Sequence, residues 1–335
     1  MGAVQKEVRL YQGEFGVFDS IYLGGGTPSV LDDRRLASLM DHLRGCLLLS
    51  SDAEITIEAN PDDISPERIA RLPDLGFNRI SLGVQSLDDD DLRFLKRRHD
   101  ARQTLRALEM VRGSAFRNMG VDLIYGIEGQ TTARFLKTLR RVLEFSPEHM
   151  SCYQLTIESG TPLAAMQAEG RFDALGEKRE AEFFLLASTT LEDHGYVHYE
   201  ISNFAKETHH ISRHNSKYWH HFPYLGLGPG AHSFKEGSRW WNVRSVDEYC
   251  RLLSSGKRPV GGSEILSSEQ LRLEALYLGL RTRDGVDLDL IAGNPTSRMA
   301  LEDLIEAGIV GVSGSKLVPT RKGFLVADSL PVMLS

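Results

Sequence analysis

Apolar and polar positions in the first half of the chain alternate between two spacings. Short apolar or alternating runs predict strands at 20–23, at Glu54-Ile55-Thr56-Ile57-Glu58, from Arg79 to Val84, from Gly120 to Tyr125 and from His149 to Ile157. Between them lie helical spacings. Residues 33–47 set Leu36, Leu39, Met40 and Leu43 at i, i+3, i+4 and i+7, and residues 131–145 carry Phe135, Leu139 and Val142 at helical spacing, i, i+4 and i+7. Helices are also predicted over 3–14, 88–96 and 101–112, and after Ser65-Pro66-Glu67, where Ser caps and Pro takes the first helical position.

Strands that alternate with helices predict a parallel sheet with right-handed crossovers, either a barrel or an open doubly wound sheet. Both architectures place their chemistry at the carboxyl ends of the strands. The residues there are Gly24-Gly25-Gly26-Thr27, Glu58 with Asn60, Gln85 with Ser86, Asp122 with Tyr125, and Tyr153-Gln154. Taken singly, each has a structural reading: a tight turn, a cap, a loop organiser, a buried acceptor. Together they deliver hydrogen-bonding groups to one rim, as a small-molecule site requires. The glycine run is not a phosphate loop. It lacks the Lys of G-x-x-x-x-G-K-[ST], and Ser29 stands where a dinucleotide fingerprint needs its third Gly.

Composition narrows the partners more than the fold. The 335 residues carry 46 acidic against 39 basic side chains, a net charge of −7, so the whole-chain field favours neither nucleic acid nor an anionic membrane. No run approaches the about 18 apolar residues of a membrane span, and the opening MGAVQKEVRLYQGEF is charged throughout, unlike a secretory leader. Cys46, Cys152 and Cys250 are scattered, which fits a reducing cytoplasm and neither a disulfide framework nor a cysteine-ligated metal.

A second concentration of chemistry lies in 194–241, which holds eight of the 11 histidines and all three tryptophans. Such a cluster suits a metal or a flat aromatic ligand, because His ligates heme iron and aromatic faces pack on a macrocycle. Two plainer readings stay open: zinc on His210 and His214, without a Cys to complete it, or a hydrogen-bonded packing cluster around His214 and Trp219. Gly226, Gly228 and Gly230 predict a tight backbone segment before His232. From about 264 the pattern reads helix (Ser267 to Leu280), helix (Leu301 to Ala307), hairpin (Ile309 to Val312 and Lys316 to Val318 about Ser313-Gly314), and a last helix after Gly323. This is a small winged-helix-like α+β arrangement. Its only local basic pair is Arg321-Lys322, so no nucleic-acid partner is expected.

Nine ordered blocks carry a resemblance: GGGTPS (24–29), EITIEANP (54–61), RISLGVQSLDD (79–89), VDLIYGIEGQT (121–131), YQLTIESGTP (153–162), YEISNFA (199–205), RHNSKYW (213–219), YLGLGPGAHS (224–233) and WNVRS (241–245). In this order they resemble the radical S-adenosylmethionine proteins of the oxygen-independent coproporphyrinogen III oxidase group, and most of all its heme-chaperone branch. The resemblance implies an α/β fold: an incomplete (β/α)6 TIM-like barrel lacking its first strand, followed by the winged-helix-like domain. The segments would be 1–165 (partial barrel), 166–262 (covering extension with the His/Trp-rich region) and 263–335. It implies S-adenosylmethionine contacts at Gly25, Gly26, Thr27, Glu58, Gln85, Arg97 and Asp122, where carboxylates and amides suit an amino group and ribose hydroxyls and Arg suits a carboxylate. Arg98 is adjacent to Arg97, and either could be a solvated helix-end charge. The resemblance also implies a heme motif at His214, Asn215, Tyr218 and Trp219.

The sequence departs from the family at one place. Members carry a C-x-x-x-C-x-x-C loop for a [4Fe–4S] cluster, further ahead of the glycine run than the 23 residues that precede Gly24 here. The expectation is therefore that the first strand and cluster loop lie upstream of Met1, that the chain as written does not bind the cluster, and that it does not cleave S-adenosylmethionine. Two functions follow from the resemblance. One is a cytoplasmic heme-binding chaperone delivering heme to membrane-bound respiratory proteins. The other is a radical enzyme for oxidative decarboxylation of a porphyrinogen.

Overall fold

The alternation seen in the strand sequences becomes the two faces of one sheet. The structure is a computed structural model that describes residues 1–291 and 295–335. Its largest sheet contains β1 (Phe18–Leu23), β2 (Leu49–Ala59), β3 (Arg79–Gln85), β4 (Met119–Tyr125), β5 (His149–Gln154), β6 (Val197–Glu200) and β7 (Asn203–Ala205), in the order β1-β2-β3-β4-β5-β7-β6. The pairs β2–β3, β3–β4 and β4–β5 are parallel. An antiparallel hairpin, β6 and β7, extends the sheet beyond β5; the apolar pattern had not marked these short strands.

The register explains the composition of each strand. Ile57, Ile80 and Met119 form one row, and Leu82, Val121 and Met150 the next, all almost fully buried. Rows of the other face read Thr56 with Arg79, Glu58 with Ser81 and Gly120, and Asp122 with Ser151. The sheet thus has one apolar face and one polar face, because successive side chains of a strand point to opposite sides.

The chain divides into two compact units: residues 1–22, 31–55 and 212–335 in the first, 23–30 and 56–211 in the second. In the second unit the crossover helices are Pro66–Asp74, Ala101–Arg112 and Thr132–Leu143, and each is capped by the residue before it. Ser65, as expected, accepts from Arg68 N–H at 3.2 Å. In the first unit, the helix expected over 3–14 ends at Leu10, and Gly13, with φ +80°, turns the chain away. This unit also holds the three-stranded sheet β8 (His232–Lys235), β9 (Ser238–Asn242) and β10 (Val260–Ile265), and the small sheet β11 (Val286–Asp287), β12 (Val310–Ser313) and β13 (Lys316–Pro319). The hairpin β12–β13 forms about Gly314 as read from the sequence. The last helix, Leu330–Leu334, follows Gly323 as expected; a further short helix, Arg321–Leu325, contains Gly323, where a Cβ would sit 2.3 Å from the Ile309 carbonyl oxygen. Among the described residues no helix is long and apolar enough to cross a membrane.

An ion pair fixes where β4 and β5 begin. Arg112 at the end of its helix donates to both Glu148 oxygens at 3.0 and 3.1 Å, and Glu148 also accepts the Met119 N–H at 2.9 Å. Burial raises the Glu148 carboxyl, but Arg112 and the Met119 N–H outweigh it and hold the group below its ordinary 4.5. The unfolded chain therefore binds this proton more readily than the native one. The stabilisation is present above 4.5 and is lost as pH falls through the lower native value. Urea midpoints measured from about pH 6 down to about pH 3 should decline, and Glu148→Gln should flatten the decline; an identical slope in the variant would exclude Glu148 as a contributor.

Candidate functional site

The carboxyl ends of the parallel strands meet in one pocket of about 270 Å3, just under the about 300 Å3 at which small-molecule clefts begin. Every lining residue belongs to the second unit. The loop after β1 contributes Gly26 and Thr27, β2 and the residue after it contribute Glu58, Ala59 and Asn60, and β3 contributes Ser81, Gly83 and Gln85. Arg97, Asp122 and Tyr153 complete the wall. Of the seven residues singled out in the sequence, six line the pocket. Gly25 does not, but its φ of +79° makes the turn that carries Gly26 and Thr27 to the rim.

The β3 end is the most constrained part. Its register against β4 shifts between Leu82 and Gln85, and Gln85 adopts φ +65°, a left-handed conformation costly for a residue with a Cβ. Its side-chain amide folds back over Gly83, where an added Cβ would lie 2.7 Å from Gln85 Nε2 and 3.4 Å from Asn60 Oδ1. Gly83 is therefore the space that lets two amides face the pocket. Asn60 Nδ2 in turn donates to Thr27 Oγ1 at 3.4 Å.

Asp122 is the electrostatic centre. Burial pushes its carboxyl up from the ordinary range, opposed by hydrogen bonds from Ser151 and Ser81 and by the charges of Arg79 and Arg97. Ser81 Oγ donates to Asp122 Oδ2 at 3.1 Å. Burial lowers the Arg97 guanidinium, opposed by the charges of Asp122 and Asp62, while Arg98 pairs with Asp62 at 2.9 Å and Asp63 at 3.5 Å. This separates the two adjacent arginines: Arg97 lines the pocket and Arg98 makes a surface ion pair. The strand-end rule missed Ser81 and Gly83, which lie inside β3. The signal was the period-two series Arg79, Ser81, Gly83, which follows the polar face down the strand.

The histidine motif forms a separate site in the first unit. The helix Arg213–Trp219 starts at Ser212, whose Oγ accepts the Asn215 N–H at 3.2 Å. Arg213 pairs with Asp52 at 2.9 Å, Lys217 pairs with Asp19, and the His214 N–H donates to Glu54 Oε1 at 3.3 Å. The His214 ring stacks on Tyr22 at 4.2 Å with an interplanar angle of 13°, and its Nε2 is 3.2 Å from Tyr218 Oη. Tyr218 is 40% exposed and packs edge-on to Tyr224 at 4.6 Å; burial of its hydroxyl end pushes the phenol up to about 12. At i, i+4 spacing His214 and Tyr218 share one helix face, and Asn215 and Trp219 share the next. The site presents one imidazole, held by its ring face and by Nε2, beside partly exposed aromatic surface.

Comparison with known proteins places the chain in a family. The family model for the Radical SAM superfamily matches residues 2–142, and that for the HemN C-terminal domain matches 266–326. The heme chaperone HemW of Bacillus subtilis is 35% identical over 318 residues, covering 93% of this chain and 84% of its own length. The chain belongs to the HemW family. A HemW of Mycobacterium tuberculosis is 33% identical over 93% of this chain and 79% of its own, and the mouse mitochondrial radical S-adenosyl methionine domain-containing protein 1 is 39% identical over 80% of this chain and 62% of its own. The solved structure of Escherichia coli coproporphyrinogen III oxidase (HemN), a radical SAM enzyme, has a TM-score of 0.82 at 22% identity, covering 99% of this chain and 82% of its own. That likeness shows the fold, an α/β half-barrel sheet followed by a C-terminal domain, in agreement with the sequence expectation.

Membership implies S-adenosylmethionine and a [4Fe–4S] cluster, and the residues answer differently to each. The pocket suits the first: it has carboxylates for an amino group, a guanidinium for a carboxylate, and a glycine approach. The described residues do not suit the second. Cys46 ends the helix Asp33–Cys46, Cys152 is buried in β5 with its thiol pushed up by burial, and Cys250 is exposed on the helix Val246–Ser254. Among the described residues no three His, Cys, Asp or Glu side chains stand close enough to hold a metal ion.

Proposed function

We propose that this HemW-family protein binds heme at the helix Arg213–Trp219, holds S-adenosylmethionine in the strand-end pocket, and passes heme to membrane-bound respiratory proteins from the cytoplasm. The observation that carries the heme reading is the setting of His214: an imidazole stacked on Tyr22, touched at Nε2 by Tyr218, and flanked by aromatic rings. Imidazole supplies an axial ligand for heme iron, and aromatic faces supply dispersion against a porphyrin plane. Tyr218 Oη lies at the nitrogen that would meet the iron, so ligation through Nε2 exchanges that hydrogen bond for the metal bond.

In the pocket, Glu58 and Asp122 face the amino group and ribose hydroxyls of S-adenosylmethionine, Arg97 faces its carboxylate, and Gln85 and Asn60 offer amide contacts. Bound there, the molecule supplies a sulfonium centre and an adenosyl group.

The test is a spectroscopic heme titration of the full chain and of His214→Ala. Saturable binding is expected, with dissociation about 10-fold weaker in the variant and a displaced Soret band. Unchanged affinity and spectrum in His214→Ala would remove His214 as ligand. Absence of saturable heme binding in the parent chain would overturn the chaperone reading.

A further inference from the structure

One buried carboxylate is committed to neither proposed ligand, yet it touches the residue that follows the pocket residue Gln85 and the loop that follows β4. Asp91, 2% exposed, lies on the helix Asp89–Phe94. Three donors converge on it: Ser86 Oγ at 2.7 Å, Gln130 Nε2 at 2.9 Å and Arg134 Nη2 at 3.1 Å. The first, Ser86, follows Gln85 directly, and its N–H returns to the Val84 carbonyl at 2.8 Å, so the turn holding Gln85 at positive φ is pinned on both sides. The second, Gln130, accepts the Gly126 N–H through Oε1 at 3.0 Å, immediately after β4, the strand that carries Asp122. The third, Arg134, also clasps Asp88, whose carboxylate caps the helix bearing Asp91. That helix leads through Leu92, which accepts the Arg97 N–H at 2.9 Å, to the pocket arginine.

A charged acceptor with three donors in a water-poor site has little freedom, and its donors have little as well. The energetic question is what that rigidity holds in place. Gln85 sits in a conformation its backbone does not favour by itself, and such conformations persist only where the surroundings over-determine them.

We infer that Asp91, through Ser86, Gln130 and Arg134, is a positioning residue that locks the Gln85 turn and the Arg97 loop into the geometry that receives S-adenosylmethionine. This rests on the cofactor reading above and adds the residue that prearranges the site without touching the ligand. Asp91 belongs to the pocket's support as Gln85 belongs to its wall.

The experiment is equilibrium binding of S-adenosylmethionine to the full chain and to Gln85→Ala, Asp91→Asn, the double variant and Ser86→Ala, with thermal unfolding followed in parallel. Asp91→Asn should weaken binding about 10-fold, within the range for hydrogen bonds to a charged group. In the Gln85→Ala background the same substitution should add at most about a third of that loss on a logarithmic scale, because its effect passes largely through Gln85. Ser86→Ala, which deletes one hydroxyl that donates to Asp91 and accepts the Asp88 N–H at 3.1 Å, keeps the Asp91 carboxylate and should reproduce several-fold of the loss with a modestly lowered unfolding midpoint. Full additivity of Asp91→Asn and Gln85→Ala, or parent-like binding by a folded Asp91→Asn or Ser86→Ala, would overturn the inference. Failure of the parent chain to bind S-adenosylmethionine would instead overturn the cofactor reading on which it rests.

Discussion

Replacing Gly83 with alanine is expected to weaken S-adenosylmethionine binding about 10-fold while lowering the unfolding midpoint by no more than a degree or two. The reason is what the new methyl meets. At 2.7 Å it meets the Gln85 amide nitrogen, and at 3.4 Å the Asn60 amide oxygen; the nearest backbone atom, the Ala59 carbonyl oxygen, is at an ordinary 3.7 Å. A flexible side-chain end yields cheaply, so the strand keeps its hydrogen bonds and the fold its stability. The Gln85 amide, however, leaves the position from which it faces the pocket, while the Asn60 oxygen at 3.4 Å is in ordinary contact and stays. One displaced hydrogen-bonding group is worth about 1 to 1.5 kcal/mol, about one decade in affinity. Equilibrium dialysis beside differential scanning calorimetry reads both quantities. A Gly83→Ala protein that binds as the parent does would show that the Gln85 amide does not contribute to the site.

The largest loss of stability is expected from Gly226→Ala, at about 3 kcal/mol, the upper end of ordinary overpacking costs. Gly226 opens the segment Gly226-Leu227-Gly228-Pro229-Gly230 of the first unit, and here the obstacle is backbone. An added Cβ would lie 2.0 Å from the His232 carbonyl oxygen, 2.9 Å from its carbon and 3.0 Å from its nitrogen. The segment cannot relax easily. Gly226 N–H donates to Ser233 Oγ at 3.0 Å, and Gly228 N–H donates to Glu7 Oε2 at 2.9 Å. Glu7 is fully buried and also receives Asn242 Nδ2 and the Tyr249 hydroxyl. Urea unfolding of the variant should show a lowered midpoint; a midpoint equal to the parent's would mean that the segment opens at little cost and that its tight packing is not structural.

Much of the candidate pocket was legible from the chain because a parallel sheet obeys a simple rule: ligands meet the carboxyl ends of its strands. Glu58 and Gln85 lie at the carboxyl ends of β2 and β3 and Asp122 lies within β4, strands whose period-two pattern is written locally, so naming the strands named much of the rim. Arg97 came from the resemblance, and its separation from Arg98 needed the structure, where Asp62 and Asp63 pair with Arg98. Gly83 and Ser81 were not found, since their importance depends on the neighbour set beside them by register and by the fold-back of Gln85.

The histidine motif divides the same way. Helical spacing puts His214 and Tyr218 on one face, a fact of local geometry that any reader of 213–219 obtains. That His214 lies flat on Tyr22, and that Asp19 and Asp52 anchor Lys217 and Arg213, follows from segments far apart in sequence. The same holds for Asp91, one of four consecutive aspartates that read as a solvated helix start until Ser86, Gln130 and Arg134 are brought onto it.

By itself, then, the sequence determined the strands β1 to β5, the Ser65 cap, much of the polar rim and the family, all of which depend on patterns a few residues long or on their order. Only the tertiary structure decided which polar groups are buried, which glycines are spaces rather than turns, and which carboxylate braces the pocket. Those properties belong to contacts between residues distant in the chain, and their energies exist only when water has been excluded around them.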